Sequence, residues 1–225
     1  MPPRRVISRI CNFRRRRMRS REHGGLSVKR ALGTAYFLSI VVEMAIRVPH
    51  ERRRRQTRMK LERVDWSERS LLGLMSVGMF FIPAVYMLTS QFDRADYRLP
   101  QGVKESAGGV GTMVLAMAVW LFWRSHADLG RNWSPSLQLR EGHELVTGGV
   151  YRSIRHPMYA SMWLWGVAQT LLLQNWIAGW AGLVLFLPLY LLRVPREERM
   201  MLDEFGEEYR AYMNRTGRII PRLED

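Results

Sequence analysis

Ser70-Leu-Leu-Gly-Leu-Met-Ser-Val-Gly-Met-Phe-Phe-Ile-Pro-Ala-Val-Tyr-Met-Leu-Thr-Ser90 runs for 21 residues without a charged side chain. A helix needs about 20 apolar residues to cross roughly 30 Å of hydrocarbon, so this stretch reads as a membrane span. Ala107–Trp123, Pro157–Gln174 and Trp176–Val194 have similar length and composition. Ala31–Val48 is a weaker fifth candidate because it holds Glu43 and Arg47. A soluble bundle would need amphipathic helices, and these are apolar on every side. The expected fold is therefore all-α: a multi-pass integral membrane helix bundle of four to five transmembrane helices. A basic region, 1–65, with a possible first membrane helix at 31–48, precedes a core, 66–225, with spans at about 70–90, 107–123, 157–174 and 176–194.

Charge is unevenly spread. Residues 1–30 carry eleven Lys or Arg against one acid, Glu22, and residues 49–69 carry eight against four. These two segments account for nearly all of the net charge of +15. The run Arg14-Arg-Arg-Arg17 has no interleaved aromatics and no recognition module, which argues against nucleic acid. Polybasic segments of membrane proteins attract anionic lipids, about 1 kcal/mol per charge near the surface, so anionic membrane lipids are the expected partner. The lone Cys11 permits neither an internal disulfide nor a multi-cysteine metal site.

Basic residues also set orientation. Placing 49–69 in the cytoplasm puts 91–106, with three basic and three acidic residues, outside. Residues 124–156, with Arg124, Arg131, Arg140, Arg152 and Arg155, then return to the cytoplasm, as does the C-terminus. If 31–48 also spans, the Arg-rich N-terminus lies outside, against the charge bias. A re-entrant helix, or initiation at Met59, would remove that conflict. Spans 157–174 and 176–194 are expected to form a tight hairpin around Asn175. Pro195 suits the first turn of a new helix. Met201, Phe205, Tyr209 and Tyr212 then recur as on an amphipathic cytoplasmic helix over 196–215.

The polar stretch Leu145-Val-Thr-Gly-Gly-Val-Tyr-Arg-Ser-Ile-Arg-His-Pro-Met-Tyr159 sits at the mouth of a span. Pro157 fits a first helical position, leaving free N–H groups and a positive dipole end beside Arg152, Arg155 and His156. That arrangement suits an anionic ligand. A border arginine such as Arg193 is costly unless paired or functional. Glu197 and Glu198 at the start of the C-terminal helix would at least favour its dipole. His143 and His156 lack supporting ligands, so no metal site is expected. His126 and Asp128 suit positioning of loop backbone. Gly108-Gly-Val-Gly111 opens a membrane helix rather than following a strand, so close helix packing explains it better than a nucleotide fingerprint.

Leu129-Gly-Arg-Asn-Trp-Ser-Pro135, Gly142-His-Glu-Leu-Val-Thr-Gly-Gly-Val-Tyr-Arg-Ser-Ile-Arg-His-Pro-Met-Tyr159 and Arg193-Val-Pro-Arg-Glu-Glu198 occur in the order found in the isoprenylcysteine carboxyl methyltransferase family, as do Phe205-Gly206, Tyr209, Tyr212 and Ile220-Pro221. Over roughly residues 124–222 the chain resembles that family. The resemblance implies a membrane methyltransferase using S-adenosylmethionine, with the cofactor at the cytoplasmic ends of the last helices. It assigns His143, Tyr151, His156, Pro157 and Tyr159 to the cofactor, with Glu197 nearby; Gly149 and Arg155 in the same run complete the expected set. It associates Arg193 and Glu198 with placing the acceptor's carboxylate. Ser161 stands where the family often has Gly. Methyl transfer to a carboxylate ionised at neutral pH needs no general base, only alignment and desolvation. The expected acceptor is lipid-like, a prenylated-cysteine-like carboxylate. A phospholipid or amine methyltransferase, a nicotinamide-dependent membrane reductase and a non-catalytic scaffold are the alternatives.

Overall fold

The computed structural model describes residues 28–52, 59–62, 66–130, 138–140 and 144–222. Helix α1 spans Val28–Arg52. A short strand β1, Met59–Glu62, precedes α2, Trp66–Ser76, which passes through a π turn at Val77–Phe81 into α3, Ile82–Leu88. The long α4 covers Gln101–Leu129, and β2, Gln138–Arg140, pairs antiparallel with β1. A 3₁₀ turn at Gly149–Arg152 leads to α5, Pro157–Leu173; α6, Ala181–Phe205, and α7, Glu207–Arg215, complete the chain. Among the described residues the fold is all-α apart from the short two-stranded β1–β2 ribbon, which periodicity does not announce.

The π turn follows from Pro83. Without an N–H, Pro83 cannot reach the Met79 carbonyl, and the Ile82 N–H bonds Val77 instead. Two carbonyls are thereby left for side chains. Met79 accepts the Tyr36 hydroxyl of α1 at 2.6 Å, and Gly78 accepts the Gln169 amide of α5 at 2.9 Å. Gln169 also accepts from Tyr36 at 2.9 Å and donates to the Ala178 carbonyl at 2.7 Å. One buried amide thus ties α1, the π turn, α5 and the loop before α6 in a medium that offers no water.

Around this hub Tyr36, Met79, Leu115, Ala118, Trp165, Leu172, Phe186 and Leu189 form the core. Small residues bring helices close. A methyl group on Gly111 would press on Leu171 and Leu172 of α5, and one on Gly108 on Leu32 of α1. The outward faces carry Leu38, Val41, Phe81, Met113, Trp120 and Leu191, an apolar exterior suited to lipid. Helices α1, Trp66–Leu88 and α4 are long and apolar enough to cross a membrane. The protein is an integral membrane protein.

Several boundaries differ from expectation. Helix α4 starts at Gln101, and its last turn contains His126 and Asp128, which therefore lie on a helix, not a loop. The hairpin connection is longer than expected. Asn175 Oδ1 accepts the N–H groups of Ile177 and Ala178, both at 2.9 Å, building a turn that delays α6 to Ala181. Pro195 starts no helix: it lies on the exposed face of α6, beside the exposed Leu191 whose carbonyl it leaves unbonded within the helix. The break comes instead at Gly206, whose φ of 52° suits glycine, so the stretch expected as one helix over 196–215 is the end of α6 plus α7.

The two ends of the bundle are distinct. At one end Lys29, at the start of α1, pairs with Asp93 at 3.0 Å and Asp96 at 3.3 Å. Asp96 also accepts from Tyr86 at 2.7 Å and Asn175 at 2.8 Å. At the other end His50, near the end of α1, packs against His126, with ring centroids 5.2 Å apart. Helix α1 therefore runs the length of α4, with its N-terminus beside loops 89–100 and 174–180. The starts of α2 and α5 and the ends of α4 and α6 share the opposite end.

Candidate active site at the mouth of the bundle

Backbone pairing builds the site. The N–H groups of Arg155 and His156 donate to the carbonyls of Gly217 and Arg218 at 2.9 and 2.8 Å, and Gly217 donates to Ser153 at 3.2 Å. The C-terminal strap is thereby laid along the entry to α5. Arg155 reinforces it by donating to the Thr216 carbonyl at 2.5 Å. Tyr212 of α7 donates to the Tyr151 carbonyl at 2.7 Å. Burial pushes the Tyr151 and Tyr212 phenols well above their usual range, so both stay neutral donors.

Glu198 is the hub. It accepts from Arg155 Nε at 2.7 Å, from Arg218 at 2.7 and 3.1 Å, and lies 3.3 Å from His156 Nε2. Burial alone would raise its carboxyl, but the hydrogen bonds from His156, Arg218 and Arg155 outweigh it and hold the group well below the usual carboxylate range. Glu197, the next residue, accepts Tyr159 Oη at 2.8 Å and Arg193 Nε at 2.9 Å, with His156 Nδ1 at 3.7 Å. Arg193 reaches Glu68 of α2 at 3.3 Å. His156 therefore bridges two acid clusters. Tyr159 in turn packs against Phe186 and Tyr190, its ring centroid 6.3 and 6.0 Å from theirs.

Of the expected residues, Arg155, His156, Tyr159, Arg193, Glu197 and Glu198 come together in one connected network. Pro157 opens α5 beside them. Gly149 and Tyr151 do not join it. Tyr151 donates to the Ser125 carbonyl at 3.3 Å, and Gly149, at φ 60°, leaves room for the Asp128 carboxylate, which accepts the Val150 N–H at 2.9 Å. Both instead anchor the turn to α4. Ser161 is buried and donates to the Met158 carbonyl at 2.7 Å, one turn inside α5. His143 lies outside the described residues. Arg218 and Glu68 belong to the network although nothing in the sequence singles them out. Arg218 sits in a short tail segment, and Glu68 looks like a solvated first-turn acid.

Residues 110–203 match the Isoprenylcysteine carboxyl methyltransferase (ICMT) family, a stretch that holds every paired residue of the network except Glu68 and the C-terminal strap. Through this segment the chain is similar to the isoprenylcysteine carboxyl methyltransferase family.

Among curated members of the family, Protein-S-isoprenylcysteine O-methyltransferase B of Arabidopsis thaliana is 34% identical over 94 residues, covering 41% of this chain and 48% of that one. The Homo sapiens Protein-S-isoprenylcysteine O-methyltransferase is 34% identical over 82 residues, 36% of this chain and 29% of that one. The structure of a eukaryotic intramembrane Ras methyltransferase aligns over 71% of this chain and 54% of that one, with a TM-score of 0.45 and 22% identity. The matches span about half the length, or less, of these family members. Helices α1, α2 and α3 precede the matched segment.

Proposed function

We propose that the protein transfers a methyl group from S-adenosylmethionine to the carboxylate of a hydrophobic, prenylated-cysteine-like acceptor. The observation that carries this reading is the joined Arg193–Glu197–His156–Glu198 network inside the segment matched to the family. The residues present fit both ligands. The cofactor has a carboxylate and an ammonium group, for which the start of α5 with half-exposed Arg218 and the partly exposed Glu197 supply a donor set and an acceptor. His156, Tyr159 and Glu197 would hold the cofactor, with Gly149, Tyr151 and Pro157 fixing the turn that carries them. Bound there, S-adenosylmethionine supplies an electrophilic methyl group on a sulfonium.

Arg193 and Glu198 would serve the acceptor. Arg193, 7% exposed at the apolar end of the site, offers a fixed cation to a carboxylate arriving from the lipid side. Glu198 is ionised and fully engaged, so it acts by holding Arg155, Arg218 and His156 in place and not as a base. A carboxylate acceptor needs no base, whereas an amine acceptor must lose a proton. That favours the carboxylate over the amine. The surrounding aromatic rings of Tyr159, Trp163, Phe186 and Tyr190 exclude water.

The basic loop 49–69 argues for a cytoplasmic site end, where its charges meet anionic lipid. The test is incubation of membranes holding the protein with methyl-labelled S-adenosylmethionine and an S-prenylated N-acylcysteine. Base-labile label in that acceptor, as a methyl ester, is expected. Label only in base-stable amine, or none, refutes the reading.

A further inference from the structure

We propose that Glu68 is a positioning residue that splays the Arg193 guanidinium between two helices, so that it meets an acceptor carboxylate; this rests on the function proposed above. Glu68 is the third residue of α2 and lies outside the segment matched to the family. An acid there ordinarily faces water and favours the helix dipole. Glu68 is instead 2% exposed and reaches across to Arg193 at 3.3 Å. Burying a carboxylate is expensive, and the pairing with the buried Arg193 offsets that cost only if the two groups hold a fixed geometry.

Arg193 already has a partner on its own helix. Glu197, one turn on, takes its Nε at 2.9 Å. A guanidinium with that carboxylate alone would close a two-bond fork on it. Glu68 draws NH1 toward α2, while the Tyr159 hydroxyl takes up the same Glu197 oxygen that Arg193 uses. The guanidinium is thereby held on two sides by two elements. A role in charge balance alone is the competing account, since Glu68, Glu197 and Glu198 match Arg155, Arg193 and Arg218 in number.

The two accounts separate in binding measurements on the full-length protein in lipid nanodiscs, with no cofactor added. The probes are N-acetyl-S-farnesylcysteine and its methyl ester. Wild type is expected to prefer the free acid by about tenfold, the order of one charge-assisted hydrogen bond. Glu68→Ala should lower that preference to about threefold or less while leaving ester affinity within about twofold. Glu68→Gln keeps an acceptor oxygen and should retain the wild-type preference, whereas charge balance predicts that it behaves as Glu68→Ala. Glu68→Asp keeps the charge but withdraws it by a methylene, and should lose the preference as alanine does; it reads the same point if the alanine variant fails to fold. An undiminished preference in Glu68→Ala or Glu68→Asp, parallel loss for acid and ester, or loss in Glu68→Gln overturns the inference alone. A wild type without acid preference overturns the carboxylate reading of the site, and this inference with it.

Discussion

Glu198→Gln keeps the shape of the hub and removes its charge. Arg155 and Glu198 are a buried pair, their side chains 10% and 5% exposed. Removing one partner of such a pair costs about 3–5 kcal/mol, because the other charge stays buried. The amide oxygen still accepts one hydrogen bond, which points to the lower end, about 3 kcal/mol, or roughly a 150-fold shift in the folded ratio. Arg218, 50% exposed, is screened by solvent, so Arg218→Gln should cost no more than about 1 kcal/mol. Unfolding in mixed micelles of mild and denaturing detergent measures both. The pH dependence adds a second constraint. The folded-state carboxyl is held below its unfolded value, so its contribution is present above about pH 4 and is lost as pH falls further. The gap between wild type and Glu198→Gln should narrow below that range. Equal costs for the two variants, or a gap that widens in acid, would refute the hub.

His156→Ala removes the bridge between the two acid clusters. It should weaken S-adenosylmethionine binding by about tenfold while membrane insertion is unchanged; equilibrium binding to the purified protein decides it, and unaltered affinity takes His156 out of the site. Gly149→Ala places a methyl group into the Asp128 carboxylate at a positive φ, a strain of about 1–2 kcal/mol before the Val150 bond is lost. A thermal midpoint equal to wild type would show that the turn is not clamped to α4.

The long spans are legible because lipid demands one simple property, an apolar surface on every side, and residues 70–90 carry it without interruption. What composition misses is decided by single backbone groups. Nothing in the apolar run foretells that Pro83 frees the Met79 carbonyl for Tyr36, or that Gln169 collects three partners. The shift of α6 to Ala181 has a local cause in Asn175, which turns the chain with its own side chain. Placement of α1 rests on contacts far apart in the chain, among them Lys29 with Asp93, 64 residues away, which no short window along the sequence contains. That contact puts the start of α1 at the end of the bundle opposite the site. The two basic segments flanking α1, 1–30 and 49–69, therefore adjoin opposite ends of one helix, and charge bias acts on α1 from both.

The candidate site divides the same way. His156, Pro157 and Tyr159 are legible because a helix start beside cations has an obvious chemical use. Arg193 and Glu198 are legible because charge at a membrane border needs a reason. Gly149 and Tyr151 occur in the same motif yet face α4, since a motif records what a turn needs as well as what a ligand touches. Arg218 and Glu68 fail to stand out because each lies in a segment where its charge is ordinary. Their partners make them otherwise: Arg218 closes the strap onto Glu198, and Glu68 brings α2 to Arg193. A charge network assembled from α2, α5, α6 and the strap gives each member a function only through contacts that span most of the chain. The matched segment, 110–203, therefore holds the centre of the site, while its two outer restraints come from either side of it.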